Sequence, residues 1–530
     1  MDDCRKTRFN AKRLSISLVL VVWILSILSC SKGYVTFVEL TATAISPTRE
    51  VSSTLPPPAT PTSAPTPLPT RTPEPTDDPL PTPSKSPSSP EATTSPLIYY
   101  SQAGDTLPAI ANRFGVAVKD IQASTDVPQT GLLSPGVLLI IPDVLGEVGP
   151  GEIIMPDSEV VFSPSALDFN IQQFVQKSGG YLLDYTEWLS TGTYTGSDVI
   201  YRVAIDNSIN PRLLLALLDF KSNWVRGQPT NLQETEYPMA NTDFRTHGLY
   251  RQLSWTVQQL AIGYYGWRNG LLTEITFPDG STMRINPMSN AGSVALQYLF
   301  SKWYNEAEWY AALFSPQSLP QRMDDMFGNP WLRAQSVEPL YPITLKQPLM
   351  ELPFQPSLPW SLIAGPHSAW GPDGALAALD FGPPSTKSGC EPSQEWVTAM
   401  APGVVVRSES GLVAVDLDGD GYEQTGWAVI YLHIASQDRI PVGTMLETND
   451  KIGHPSCEGG VAMGTHVHIS RKFNGEWILA DGPVPFTLSG CVAHNGTRAY
   501  LGSLVCGDKE IIANDQSNPS SLIQRLRSLP

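Results

Sequence analysis

Five residues toward the C-terminal end of the chain have the types and spacings of a hydrolytic metal site: His367, Asp380, His433, and the pair His466 and His468 in Gly464-Thr-His-Val-His-Ile469. Alternate side chains of a β-strand face the same way, so a His-x-His pair flanked by β-branched residues sends both imidazoles into one site while Val467 packs beneath. Zinc used for hydrolysis takes three protein ligands from His, Asp or Glu and keeps a fourth position for water, whose pKa falls to about 7. Three of the five residues suffice as ligands, which leaves two imidazoles to move protons. A lone His-x-His is a weak pattern, because a histidine is more often packed or solvated than ligating. Clustering strengthens it: of the seven histidines, six fall between His367 and His494.

The elements that must position these residues read as β. In Gly426-Trp-Ala-Val-Ile-Tyr-Leu-His433, Trp427, Val429, Tyr431 and His433 share one face and Ala428, Ile430 and Leu432 the other, and one face is expected to line the cleft. The tracts 404–406 and 413–415 predict further strands, separated by a Ser-Glu-Ser-Gly turn signal. Four of the six cysteines, Cys390, Cys457, Cys491 and Cys506, lie in the same segment, which suits an oxidising setting. Four cysteines permit three pairings, of which Cys390 with Cys457 and Cys491 with Cys506 is favoured. Thiol ligation of zinc ranks below disulfides because no Cys-x-x-Cys occurs. The run Asp416-Leu-Asp-Gly-Asp-Gly-Tyr-Glu423 opens like an EF-hand loop, but its twelfth position is Trp427, so a turn between two strands is the stronger expectation.

The stretches Gly365-Pro-His-Ser-Ala-Trp370, Ala378-Leu-Asp-Phe-Gly382, Tyr431-Leu-His433 and Gly464-Thr-His-Val-His468, in this order, resemble the beta-lytic branch of the lysostaphin and LytM-type zinc endopeptidases. Twelve residues separate His367 from Asp380, the wider spacing of that branch. The resemblance spans 340–507. It implies one Zn2+ per chain held by His367, Asp380 and His468, with His433 and His466 jointly as the catalytic pair, and hydrolysis of peptide bonds in peptidoglycan stems or cross-bridges. The alternative is a catalytically silent peptidoglycan-binding adaptor or regulator of other wall hydrolases. Lost ligands would be expected of such a protein, and all five positions are present.

The N-terminal region predicts where such a domain works. Arg5, Lys6, Arg8, Lys12 and Arg13 precede an apolar run, 14–28, that is short for a membrane span of about 20 residues. Residues 1–29 therefore read as a secretory signal. Ile27-Leu-Ser-Cys30 resembles a bacterial lipobox, implying a lipid on Cys30, a membrane anchor and an extracytoplasmic, wall-associated protein. Segment 30–97 is dominated by Pro, Thr and Ser and predicts an extended, solvated spacer.

Segment 98–143, with Tyr99-Tyr-Ser-Gln-Ala-Gly-Asp-Thr-Leu107 and the closing Leu132-Leu-Ser-Pro-Gly-Val-Leu-Leu-Ile-Ile-Pro142, resembles a LysM module, a small α+β unit with two helices between two strands. Asp105 or Thr106 is expected to cap its first helix. The resemblance implies binding to N-acetylglucosamine-containing glycan, with Gly104, Asp105, Thr106 and Leu107 as candidate contacts. Segment 150–335 has helical spacing throughout, with Pro211 suited to a helix's first turn. It resembles the goose-lysozyme and lytic-transglycosylase fold, but Lys221 stands before Ser222 where that family has its glutamate acid, and Asp219 would lie on another helix face. A non-catalytic domain is expected. Residues 324–359 read as a linker and 508–530 as a C-terminal tail. The chain is thus multidomain: a LysM module, a mostly α lysozyme-like middle domain and a mostly β, antiparallel C-terminal domain. Its formal charge of −17 and pI near 4.8 argue against nucleic acid as a partner.

Overall fold

The computed structural model describes residues 95–356, 358–384 and 389–525. The proposed signal segment, Cys30 and nearly all of the spacer lie outside the described residues. No helix among the described residues is long and apolar enough to cross a membrane.

The N-terminal module pairs Leu97–Tyr100 with Leu138–Ile141 in antiparallel register, and the short strand Gln122–Ala123 adds to the other edge of Leu138–Ile141. Between the first and last strands runs α1, Leu107–Phe114, which buries Leu107, Ile110 and Phe114 against Tyr99, Leu139 and Ile141. Thr106 caps α1 by accepting from the Ala109 amide. Asp105 does something else: its buried carboxylate accepts from Tyr99 Oη at 2.7 Å and from Arg113 Nη1 at 2.7 Å. The expected second helix is a single 3-10 turn, Val118–Asp120, because its side chains find no deep core to bury.

The middle domain contains the helices α2 (Ile171–Ser178), α3 (Gly196–Asn207), α4 (Pro211–Ser222), α5 (Leu249–Arg268), α6 (Ala291–Phe300), α7 (Glu306–Phe314) and α8 (Leu319–Phe327). Their starts follow from sequence. Asn210, Asn290, Asn305 and Ser318 each accept from an amide of the first turn, and Pro211 and Pro320 sit where an amide hydrogen would be unpaired anyway. Central α4 is buried almost all round, which explains its uniform run Leu213-Leu-Leu-Ala-Leu-Leu218. A hairpin, Thr186–Leu189 with Gly192–Thr195, projects Trp188 outward at 74% exposure.

The C-terminal domain is a nine-stranded antiparallel sheet. Its strands are β1 (Pro359–Ser368), β2 (Leu376–Gly382), β3 (Gly403–Glu409), β4 (Leu412–Asp416), β5 (Trp427–Leu432), β6 (Met445–Leu446), β7 (Val467–Phe473) and β8 (Leu522–Gln524), in the order β6-β3-β4-β5-β7-β2-β1-β8, with Glu476–Trp477 paired to β7. Ser410 and Gly411, both with positive φ, make the tight turn expected between β3 and β4. The run from Asp416 is a turn, as expected: the Asp416 carboxylate accepts from the amides of Asp418, Gly419 and Gly421.

Two expectations are corrected. Residues 508–525 are no tail, because Lys509–Ile512 pairs with Gly502–Cys506 and β8 closes the sheet edge against β1. The apolar Ile511 and Ile523 pull them in. Neither face of β5 lines a cleft. Val429 and Tyr431 face the core of the C-terminal domain, while Ile430 and Leu432 face a core shared with the helical domain. That shared core also takes Ala369, Ala375, Ala377, Leu412, Ala414 and Trp477. A sheet buried on both faces leaves its strand ends as the place for a site. All described residues fall within one compact unit, Pro87–Pro530.

Candidate metal centre

The site assembles where β1, β2 and β7 lie side by side. Antiparallel registers set Leu432 against His468, His468 against Asp380 and Asp380 against Ala364, with irregular pairing along β1 that brings His367 into reach. His367 Nε2 lies 3.3 Å from Asp380 Oδ1 and 3.1 Å from His468 Nδ1, and His468 Nδ1 lies 3.0 Å from Asp380 Oδ1. These three residues form a buried cluster able to hold one ion.

Backbone carbonyls decide which ring atoms face inward. His367 Nδ1 donates to Gly365 O at 2.8 Å, and His468 Nε2 donates to Ala369 O at 3.1 Å. A carbonyl oxygen only accepts, so each imidazole carries a proton on the far side and, in its neutral form, turns a lone pair toward Asp380. Asp380 Oδ1 is buried with no hydrogen-bond partner among the described residues. Three ligand atoms within 3.0 to 3.3 Å of one another repel through their lone pairs unless a proton or a metal cation lies among them. Two nitrogens and a carboxylate oxygen form the donor set of catalytic zinc, so the residues fit the metal. Burial works to raise the Asp380 pKa, but His367 and His468 hold it well below the usual carboxylate range. Burial also works to lower His367, and the facing carboxylate outweighs it and pushes the imidazole up.

His433 and His466 stand beside this cluster with ring centroids 4.4 Å apart. His433 follows the last residue of β5 in a left-handed conformation, φ 65°, which turns its ring from the strand direction into the site. Its Nδ1 donates to Glu458 O at 2.9 Å, and His466 Nδ1 donates to Gly464 O at 2.7 Å, so both rings present Nε2 inward as an acceptor. Burial, then His466 and His468, pushes His433 down to about 4. His466 Nε2 is 3.7 Å from Asp380 Oδ2. All five residues picked from sequence therefore converge.

Sequence reasoning missed Tyr500, whose ring stacks on His367 at 4.6 Å and 21° between planes. No spacing signal marks it, because it arrives from the hairpin of Cys491–Asn495 and Gly502–Cys506. That hairpin is tied by Cys491–Cys506, and Cys390–Cys457 ties the neighbouring loops, the two pairings favoured from sequence. Of the candidate glycan contacts, Asp105 and Leu107 are buried inside the module. Gly104 and Thr106 border a cavity of about 540 Å³ shared with Leu132, Arg268, Tyr341 and Asp481.

Comparison with known proteins places these regions. Residues 102–142 match the family model described as LysM domain, and residues 153–341 match that described as LasA, N-terminal domain. The second match covers the segment whose sequence resembles goose lysozyme. Protease LasA of Pseudomonas aeruginosa is 24% identical over 366 residues, covering 64% of this chain and 79% of that protein. Among solved structures, the M23 metalloprotease pseudoalterin is 23% identical, covering 32% of this chain and 96% of its own, with a TM-score of 0.27. The catalytic domain of lysostaphin from Staphylococcus simulans is 19% identical, covering 23% and 83%, with a TM-score of 0.17. The chain thus carries a LysM domain followed by a helical domain similar to the N-terminal domain of LasA, and over 64% of its length it is similar to Protease LasA.

Proposed function

We propose that the protein is an extracytoplasmic zinc endopeptidase that hydrolyses peptide bonds of peptidoglycan stems or cross-bridges while its LysM module holds the glycan. The observation that carries this reading is the convergence of three buried lone pairs, on His367 Nε2, His468 Nδ1 and Asp380 Oδ1, beside two further imidazoles with Nε2 turned inward. Zinc held by His367, Asp380 and His468 supplies Lewis acidity toward a scissile carbonyl and makes a water acidic near neutral pH. The chain's own residues do the rest. One of the pair His433 and His466 accepts the proton of the attacking water at Nε2 and returns it to the leaving amine, while the other, as an imidazolium protonated at Nε2 too, donates to the developing oxyanion. The Glu458 and Gly464 carbonyls accept from Nδ1 and so fix both rings with Nε2 left to take up or give a proton. LysM docking raises the local concentration of substrate, and a lipid on Cys30 would keep the enzyme at the membrane.

The helical domain is proposed to be non-catalytic. Asp219 is held by Arg226 and Arg322 at 2.9 and 2.8 Å, and Lys221 at the glutamate position donates to Tyr304 Oη at 2.9 Å. Turnover of glycan in a muramidase assay by the chain carrying His433→Ala would overturn this.

Zinc analysis combined with peptidoglycan digestion tests the main reading. The parent is expected to hold one zinc and release new peptide termini. His468→Ala loses metal and activity together; His433→Ala keeps metal and loses about 10²–10⁴-fold in kcat. Zinc without cleavage in the parent would instead favour the silent adaptor.

A further inference from the structure

Two cavities open where the helical domain meets the catalytic domain beside the metal centre. One, of about 390 Å³, lies between α5 and the loop that follows His367, with Tyr250, Arg251, Gln258, Trp370 and Asp373 among its walls. The other, of about 1100 Å³, has Trp188, Tyr194, His247 and Arg251 on the helical side and Glu458, Gly459 and Gly460 on the catalytic side. Tyr250 and Arg251 line both, so the cavities adjoin along the first turn of α5. The larger one reaches the reacting groups: a Cβ placed on Gly460 would lie 3.4 Å from His433 Cε1, and the Glu458 carbonyl is the partner of His433 Nδ1.

The charges in the larger cavity are unevenly engaged. Glu187 accepts from the Tyr250 amide at 2.9 Å, and Glu458 accepts from the Ser436 amide at 2.9 Å and lies 3.7 Å from Arg439. Arg202 is paired with Asp206. Arg251 is exposed and donates to the Arg245 carbonyl at 3.1 Å; among the described residues no carboxylate lies within ion-pair distance of it. A guanidinium with most of its fork open, facing a groove whose own carboxylates are occupied, is a receptor for an external carboxylate. Trp188, largely exposed on its hairpin, adds an apolar wall.

The helical side of this groove is held in place. Arg268 at the end of α5 donates to Glu476 Oε1 at 3.0 Å, Trp477 N donates to Tyr265 Oη at 3.0 Å, and Ser208 Oγ donates to Gly475 O at 2.6 Å. The domain that carries Arg251 is therefore a fixed wall beside the metal centre.

We propose that the helical domain forms part of the substrate site, with Arg251 binding a carboxylate of the peptide whose scissile bond lies at the metal centre. This rests on the endopeptidase reading, and Arg251 acts as a specificity residue.

The test uses the zinc-loaded full chain and a short synthetic stem-type peptide with one side-chain carboxylate and a free C-terminus. Two further forms carry a carboxamide at one or the other position. Calorimetric binding is expected to be about tenfold weaker for one of the two amidated forms, which identifies the carboxylate that is read. Arg251→Ala should bring that form and the parent peptide to equal affinity with zinc content and melting temperature unchanged, and Arg251→Lys should restore part of the difference. Equal binding of all three peptides by the parent chain, or discrimination that survives Arg251→Ala, overturns the proposal. So does a peptide-free glycan fragment whose binding is lost in Arg251→Ala and Trp188→Ala, which would make the groove a saccharide site. Because the readout is binding, discrimination without hydrolysis would sink the endopeptidase reading while still showing that Arg251 reads a peptide carboxylate.

Discussion

At His367 the imidazole is fixed from three sides: Gly365 O holds Nδ1, Asp380 faces Nε2, and Tyr500 stacks on the ring. Groups that orient a ligand typically change metal affinity by about 10–100-fold when removed. Tyr500→Ala is therefore expected to weaken zinc retention by about tenfold in a chelator titration, while Tyr500→Phe, which keeps the ring, stays near the parent. Equal loss in both variants would show that the hydroxyl, and not stacking, matters. A second residue-scale prediction concerns Lys221, which burial pushes down to about 8. A lysine whose folded pKa lies below its unfolded value binds fewer protons when folded, so stability rises with pH across the interval from about 8 to the unfolded value near 10.4. Denaturant melts should show that rise in the parent and a flatter profile in Lys221→Met. Parallel profiles would mean that Lys221 is not desolvated.

Among the elements, the two disulfides have different tasks. Cys491–Cys506 joins directly opposed residues of the hairpin that delivers Tyr500, with a sequence separation of 15. Closing a loop of that size contributes about 3 kcal/mol in the chain-entropy account, so the Cys491→Ser, Cys506→Ser double variant should lose stability on that scale in denaturant titration. Cys390–Cys457 instead holds the strand-end loop next to Glu458, whose carbonyl sets the His433 tautomer. Replacing both cysteines by serine is expected to keep zinc and lower kcat by about tenfold or more, as misplacement of a catalytic group does. Unchanged kcat would show that β5 alone fixes His433.

The whole molecule is tied together by polar contacts buried between its parts. Arg268 reaches Glu476 in the catalytic domain, Asp157 in the helical domain and the Ala103 carbonyl in the LysM module. Removing one partner of a buried charge set costs about 3–5 kcal/mol because the remaining charges stay desolvated. Arg268→Met should destabilise the chain on that scale, and adding Glu476→Leu should recover part of the loss. Simple additivity of the two would argue against the network. Cleavage of the connecting segment near Leu349, which is 97% exposed, is expected to leave two fragments that co-elute, since Trp477 and Ala377 are buried in the core shared with the helices.

Much of this was legible in the residues. His, Asp and His at family spacing marked the metal cluster, because ligand chemistry restricts the side chains that can serve. Asp105 or Thr106 and Pro211 marked two helix starts, because the unpaired first-turn amides have few partners. Valine-rich runs around a turn signal marked β3 and β4, and alternation marked β5. What only the tertiary structure decided depends on contacts distant in sequence. It assigned Asp105 to a buried ion pair with Arg113, brought Tyr500 onto His367, drew residues 508–525 into the sheet, and buried both faces of β5 by setting the helical domain against one of them. Periodicity reports which side chains share a face; what covers that face is settled only when the rest of the chain packs against it.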